Sequence, residues 1–281
     1  MKTIIVPTDF SNNAYNALYY ATRLFKDETV RFLLLNSFEE ENTMSTSRID
    51  IGKSEVIIEE LFHKSYTELA EVKHSIVRDT EGMDHTFETI PTSKKLVREI
   101  NFLIKKREID MIIMGTKGAT GAKGVILGSN TVRVLKKIKE SPILVVPEMS
   151  DYKKPKHIAF ATDLNQVYAE HHLKPIIRMA LDNDATVHVL HVMEEETITV
   201  KRKDHYNELA EKMKDVKKEM HWLPLDWSKT ETIMKFVEQD KIDMLAMIYY
   251  KHGFLKKMFR ESVIKKIGRQ PQTPYLVIPA R

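Results

Sequence analysis

Short apolar runs alternate with amphipathic segments along the first half of the chain. Apolar side chains recur at helical spacing from Ala14 to Phe25, whereas the run from Phe32 to Leu35 is uninterrupted. An uninterrupted apolar run is typical of a strand in a parallel sheet that is covered on both faces. By these criteria strands are predicted at residues 4–7, 31–38, 85–90 (closed by Pro91), 109–114 and 142–146, with helices between them.

The alternation of strands and helices predicts an α/β fold. A parallel, doubly wound, Rossmann-like sheet of five strands with helices on both faces accommodates this order. Ligands of such sheets bind beyond the carboxyl ends of the strands, at the point where the strand order reverses. Asp9, the pair Asn36-Ser37 and Gly115 each lie at the end of a predicted strand, so we expect them at one edge of the sheet.

The second half of the chain repeats segments of the first half in the same order. The segment IAFATDLN at 158–165 echoes IIVPTDFS at 4–11, and TPYLVIP at 273–279 echoes SPILVVP at 141–147. Between them an apolar strand-like run and an Ile-Asp-Met triplet also recur. Four echoes in one order predict an internal duplication.

The duplication predicts two domains, each with its own five-stranded sheet. We place the first at residues 1–148 and the second at 156–281, and the short polar segment between them is expected to be a linker. The length of 281 residues by itself suggests one large or two ordinary domains.

The composition of the chain argues against several classes of function. The net charge of +4 is small for this length, and no basic run with interleaved aromatic residues indicates nucleic-acid binding. The chain has no cysteine, which excludes disulfides and thiolate chemistry, and no apolar stretch approaches the length of a membrane span. The first residues do not resemble a secretion signal, so we expect a cytoplasmic protein.

A glycine-rich segment, GTKGATGAKGVILGSNT, occupies residues 115–131 between a predicted strand and a predicted helix. Glycine lets the backbone approach a ligand closely, and a helix N-terminus presents unpaired N–H groups and a partial positive charge. Lys117 and Lys123 add positive charge, so an anion is the expected ligand. The segment matches neither the Walker A nor the dinucleotide pattern, and a plain surface loop is the alternative.

The spacing of this segment, G-x2-G-x9-G-S, resembles the ATP-binding signature of the universal stress protein family. The resemblance extends to residues 141–147 after the helix and to residues 4–11 at the start of the chain. It implies that the first half binds ATP or ADP, with Mg²⁺ as a candidate companion of the phosphates. The cofactor-binding positions that it implies are Thr8, Asp9, Ser37, Met114, Gly115, Gly118, Gly128, Ser129, Asn130 and Thr131.

Within that set the resemblance places the nucleoside near the ends of the first, second and fourth strands. Gly118 and residues 128–131 would surround the phosphates, and Asp9 would face the nucleoside or a bridging metal. From chemistry alone, Asp9 can equally serve to cap the turn that follows it.

The second half departs from the signature. Ile248, Lys251 and Glu261 stand where the glycines would be, although Ser262 retains the serine. A carboxylate beside a helix N-terminus would occupy the place of a phosphate, so we expect no nucleotide there. Lys251 and its basic neighbours could bind another anion, but solvated surface charges are the simpler interpretation.

Two histidine pairs in the second half are candidate metal ligands by their spacing. His188 and His191 lie three apart on a predicted strand, so they should point to opposite faces. His171 and His172 are neighbours on a predicted helix and should diverge by about 100°. Neither pair therefore predicts a metal site.

The resulting hypothesis is a tandem universal stress protein that acts as a nucleotide-dependent regulator of a stress response. The resemblance also implies an intramolecular pseudo-dimer that pairs the last strand of each half (143–146 and 275–278), a further homodimer, and a downstream protein partner. No catalytic base or arginine finger is evident near the loop, so no catalytic residue is predicted. The alternatives are a slow ATPase or nucleotidyl-transferring enzyme, and a scaffold that binds no nucleotide.

Overall fold

The structure is a computed structural model that describes residues 1–39, 51–116, 127–194, 197–226, 228–249 and 272–280, with the backbone alone for 51–54. The chain divides into two compact units, residues 1–152 and 153–281, and each is described by itself. Among the helices in the described ranges, none is long and apolar enough to cross a membrane.

The first unit is a parallel five-stranded sheet in the order β3-β2-β1-β4-β5. The chain runs outward from β1 to β3 and then returns to the other side of β1, as a doubly wound α/β fold requires. Its elements are β1 (Lys2–Pro7), α1 (Asn12–Leu24), β2 (Val30–Ser37), α2 (Ile51–Asp79), β3 (His85–Thr92), α3 (Leu96–Lys106), β4 (Met111–Gly115), α4 (Ser129–Lys137) and β5 (Ile143–Val146).

The central strands of this sheet are buried on both faces. In β2 the four residues from Phe32 to Leu35 are fully buried, as are Ile4 and Ile5 of β1. Helix α1 contributes the apolar stripe that the sequence predicted, with Ala17 among its buried residues. The uninterrupted apolar run therefore marks a parallel central strand, which confirms the α/β prediction.

The expectation that Pro91 closes the third strand is wrong. Strand β3 continues to Thr92, and Pro91 itself pairs with Asn36 of β2. Because β3 is the outermost strand of this unit's sheet, only one side of Pro91 faces a neighbouring strand. A proline is tolerated there because its missing N–H can face away from that neighbour.

The second unit has the same strand order, with β10-β9-β6-β7-β8 corresponding to β5-β4-β1-β2-β3. Its pairs are also parallel. Its elements are β6 (His157–Ala161), α5 (Glu170–Asn183), β7 (Thr186–Met193), α6 (Val200–Lys212), β8 (Lys218–Pro224), α7 (Lys229–Gln239), β9 (Met244–Tyr249) and β10 (Tyr275–Pro279).

The first helix of the second unit starts later than its counterpart. Helix α1 begins directly after Ser11, whereas α5 begins at Glu170, five residues beyond Asn165, which is the equivalent of Ser11. Pro175 lies in the second turn of α5. At this position proline cannot donate the hydrogen bond that an amide would give to the carbonyl four residues earlier, at His171.

Candidate functional site

The carboxyl ends of β1, β2 and β4 meet at one edge of the first unit's sheet. Pro7 pairs with Leu35 at the end of β1, and the Thr8 amide donates to the Leu35 carbonyl at 2.8 Å. The pairing of β1 with β4 covers Ile4 and Ile5, two residues before the end of β1. This is the point where the strand order reverses, which is where doubly wound sheets bind ligands.

Thr8 and Asp9 form a tight, hydrogen-bonded turn after β1. The Thr8 hydroxyl accepts from the Phe10 amide at 3.0 Å. One Asp9 carboxylate oxygen accepts from both the amide (3.3 Å) and the hydroxyl (2.6 Å) of Ser11. Phe10 adopts a left-handed φ of 64°, which allows the chain to turn sharply into α1. Asp9 therefore has the turn-capping role, and its exposed side chain also lies at the ligand edge.

A buried asparagine supports this turn from β2. Asn36 donates its side-chain amide to the Thr8 carbonyl at 2.9 Å and accepts from the Ser65 hydroxyl at 2.8 Å. Next to it, Ser37 donates its hydroxyl to the Lys94 carbonyl at 2.7 Å. The supporting role of Asn36 was not predicted, although a polar residue at the end of an apolar strand was the available signal.

Gly115 is fixed by packing against α1. A Cβ at this position would lie 2.9 Å from two side-chain atoms of Asn13 and 3.0 Å from its backbone oxygen. Its φ is not in the left-handed region, so no turn demands a glycine here. Met114 precedes it and is buried. The close approach of α1 therefore accounts for this glycine without any ligand.

The start of α4 is tied to the end of β4. The Gly128 amide donates to the Thr116 carbonyl at 2.6 Å, and the buried Thr131 hydroxyl donates to the Gly115 carbonyl at 2.9 Å. Gly128 is the N-cap residue and offers no side-chain cap. Ser129 follows it and is exposed. The first N–H groups of α4 are thus held at the ligand edge without a capping side chain.

Several sequence-predicted positions lie outside the described residues. Gly118, Lys117 and Lys123 belong to the undescribed range 117–126. The structure brings together the remaining members at one edge: the β1 turn, the end of β2, the end of β4 and the start of α4. Asn130 is exposed at that helix start and accepts from Arg133 at 3.0 Å.

The second unit repeats the turn after its first strand. The Leu164 amide donates to the Thr162 hydroxyl at 3.0 Å, and the Asn165 amide donates to Asp163 at 3.1 Å. Leu164 has a left-handed φ of 51°, like Phe10. His191 takes the place of Asn36, with its Nδ1 at 3.2 Å from the Thr162 carbonyl. The strand-end scaffold is therefore duplicated, whereas Lys251, Glu261 and Ser262 lie outside the described residues.

The structure confirms the expected separation of the side chains for His188 and His191 but not for His171 and His172. His191 packs against Trp222, whereas His188 lies 3.0 Å from ring nitrogens of both His157 and His221, so the two do not share a face. The rings of His171 and His172, by contrast, pack together with centroids 4.0 Å apart. The expected divergence is wrong because the rings turn towards each other beyond Cβ.

Two sequence comparisons place the chain among known proteins. Residues 1–147 match the model of the universal stress protein family. A universal stress protein of Methanocaldococcus jannaschii is 31% identical over 155 residues, which cover 52% of this chain and 94% of that protein. A second universal stress protein of the same organism is 29% identical over 157 residues, with 55% and 84% covered.

Solved structures share the fold over almost the whole chain. A universal stress protein from Archaeoglobus fulgidus has a TM-score of 0.67 at 19% identity, covering 99% of this chain and 96% of that one. A protein of unknown function from Pseudomonas aeruginosa has a TM-score of 0.54 at 12% identity, covering 99% and 92%. Since the family model spans more than half of the sequence, the chain belongs to the universal stress protein family.

Proposed function

We propose that the first unit binds an adenine nucleotide, ATP or ADP, and acts as a nucleotide-dependent regulator in a stress response. The observation that carries this proposal is the start of α4, where Gly128 caps the helix without a side chain beside the end of β4. Such a helix start offers N–H donors and a partial positive charge to phosphates. Its glycines and serine also match the family's ATP-binding spacing.

Each described position then has a distinct task. The Thr8–Asp9 turn and the end of β2 at Ser37 would contact the nucleoside, with Met114 and Gly115 beside it. Ser129 and its neighbours would face the phosphates. Since Thr131 donates its hydroxyl to Gly115, we assign its contribution to the backbone N–H. Mg²⁺ would bridge phosphate oxygens and a carboxylate, for which Asp9 is the candidate.

Binding without efficient turnover is the more natural use of this site. The Asp9 carboxylate already accepts two hydrogen bonds from Ser11, which engage it in capping the turn rather than in proton transfer. A regulator needs only a nucleotide-dependent difference between states.

We also propose that the chain forms a homodimer, which sedimentation equilibrium would test.

Calorimetric titration with ATP and Mg²⁺ tests the nucleotide site. We expect one site per chain in the wild type and loss of that site in Gly128→Glu, because a carboxylate would stand where phosphate binds. Gly128 has an ordinary φ of −62°, so glutamate fits the backbone there. ADP titrated in the same way reports whether the site distinguishes the two nucleotides.

The matched control is Val77→Glu, which adds the same charge on α2 at the opposite edge of the sheet. Val77 is 49% exposed, so the change should leave both folding and binding intact. Absence of binding in the wild type would overturn the proposal and favour a scaffold. Release of ADP from ATP in a turnover assay would instead favour the enzyme alternative.

A further inference from the structure

A cluster of imidazoles and one carboxylate lies on one face of the second unit's sheet. It consists of His157, His188, Glu219 and His221, and we call it the histidine cluster. His188 pairs with Ala159 of β6 on one side and with Glu219 of β8 on the other. Since residues two apart on a strand share a face, His157 and His221 lie on that same face.

Three atoms of the histidine cluster converge on one point. His188 Nδ1 lies 3.0 Å from His221 Nε2. A Glu219 carboxylate oxygen lies 3.6 Å from the first nitrogen and 3.7 Å from the second. The circle through these three atoms has a radius of about 2 Å, which is the distance at which zinc takes nitrogen and oxygen ligands.

We propose that His188, Glu219 and His221 bind one Zn²⁺ ion per chain. Imidazole nitrogens with a carboxylate oxygen suit zinc, whereas Mg²⁺ and Ca²⁺ prefer oxygen ligands alone. Three protein ligands leave a fourth tetrahedral position for water or an external group. The ion would join β7 to β8, the outermost strand of this unit's sheet.

His157 provides the supporting hydrogen bond that zinc-binding histidines commonly have. Its Nδ1 lies 3.0 Å from His188 Nε2. If His188 gives Nδ1 to the metal, its proton resides on Nε2, and His157 accepts that proton's hydrogen bond. An outer partner of this kind fixes the tautomer and the orientation of the ligand ring.

An aromatic ring packs on one side of the histidine cluster, and solvent reaches the cluster from another side. Phe236 of α7 packs on the cluster, with its ring centroid 4.7 Å from His221 and 6.2 Å from His188. The Glu219 side chain is 61% exposed, so an ion can enter from its side.

The first unit shows that the fold does not require this cluster. Leu33, fully buried, is the equivalent of His188, and Ile90 is the equivalent of His221. Only the carboxylate is retained, as Glu88, and there it pairs with Arg107 at 2.7 Å. The same sheet therefore forms with apolar side chains at these two positions, so the fold alone does not account for the two imidazoles.

The test is calorimetric titration of the tag-free, chelator-treated full-length chain with ZnCl₂. We expect one ion per chain, with affinity reduced at least about 100-fold in His221→Gln and in Glu219→Gln, since each removes a direct ligand. His157→Phe should weaken binding about 10-fold through loss of the supporting hydrogen bond. Bound Co²⁺ should show the visible absorption of a tetrahedral site.

Two features keep the test decisive. Glu219 is exposed, so its substitution should leave the fold intact, as far-ultraviolet circular dichroism would verify. The matched control His171→Gln removes an exposed histidine outside the cluster and should leave zinc binding unchanged. No stoichiometric binding by the wild type, or undiminished binding in both ligand variants, would overturn the proposal and leave a histidine hydrogen-bond network.

Discussion

Two independent constraints favour glycine at position 115. The ATP-binding signature asks for glycine there, and so does the close approach of Asn13 from α1. We predict that Gly115→Ala destabilises the first unit by about 1–3 kcal/mol, because the added Cβ overpacks a site that has no room for it. Urea unfolding monitored by circular dichroism measures this loss.

The double variant with Asn13→Ala separates packing from ligand chemistry. Removing the two Asn13 atoms at 2.9 Å leaves only its backbone oxygen close to the new Cβ. Gly115→Ala should therefore cost less in that background. An equal cost in both backgrounds would contradict the steric explanation.

His191 makes the stability of the second unit depend on pH. Burial, followed by the positive charges of Arg202 and Lys229, lowers its pKa, against the opposing effects of its bond to Thr162 and of Asp163. Unfolding thus raises the pKa towards the ordinary value of 6.5. The unfolded chain binds the extra proton, so this contribution is present above pH 6.5 and is lost as the pH falls below it.

The substitution His191→Asn tests this dependence. Asparagine can donate to the Thr162 carbonyl as Asn36 does to Thr8 in the first unit. As the pH falls from about 7.5 to about 5.5, the wild type should lose stability through protonation of His191 in the unfolded chain, whereas the variant has no such group. We therefore expect the free energy of unfolding of the variant, minus that of the wild type, to increase over this range. A difference that stays constant over this range would show that His191 does not titrate on unfolding.

At the scale of single elements, α1 depends on the turn that precedes it. The Ser11 hydroxyl accepts from the Ala14 amide at 3.2 Å and donates to Asp9 at 2.6 Å. We predict that Ser11→Ala lowers the free energy of unfolding by about 1 kcal/mol through loss of the helix cap. Ser11→Thr, which keeps a capping hydroxyl, should lose much less, and equal losses in thermal unfolding would argue against a capping role.

Element positions could be predicted from sequence because apolar periodicity reports burial directly. The run at Phe32–Leu35 was recognisable as a central strand since all four side chains are buried in both faces of the sheet. The end of the third strand was predicted wrongly because the rule that proline ends a strand does not consider whether that strand lies at the edge of its sheet. The start of α5 at Glu170 also escaped the periodic pattern, because Ala169 at its N-cap makes no side-chain capping hydrogen bond that the sequence could have signalled.

Contacts between distant residues could not be predicted in the same way. The turn at Thr8–Asp9 was visible in the sequence, whereas its support by Asn36 depends on the alignment of β1 with β2. The spacing of His188 and His191 correctly indicated that these two side chains lie on opposite faces and do not meet. It could not reveal His221, because the register of β7 against β8 decides which side chains meet.

At the scale of the whole molecule, the two units have kept one scaffold and changed its chemistry. Both retain the strand order and the Thr-Asp turn, with equivalent hydrogen bonds at Thr8 and Thr162. They differ at the opposite edge, where only the second unit holds the histidine cluster. The two units thus present two copies of one strand order, on which separate ligand sites can develop.

Hydrogen exchange tests whether the two ligands act on separate units. ATP with Mg²⁺ should slow exchange of amides in the β1 turn and the first turn of α4, and Zn²⁺ should slow exchange in β7 and β8, since each ligand stabilises the state that binds it. Gly128→Glu should remove only the first effect and Glu219→Gln only the second. Slower exchange around Thr162 and Asp163 on addition of ATP would instead mean that the second unit's turn also binds nucleotide, and would contradict separate ligands for the two units.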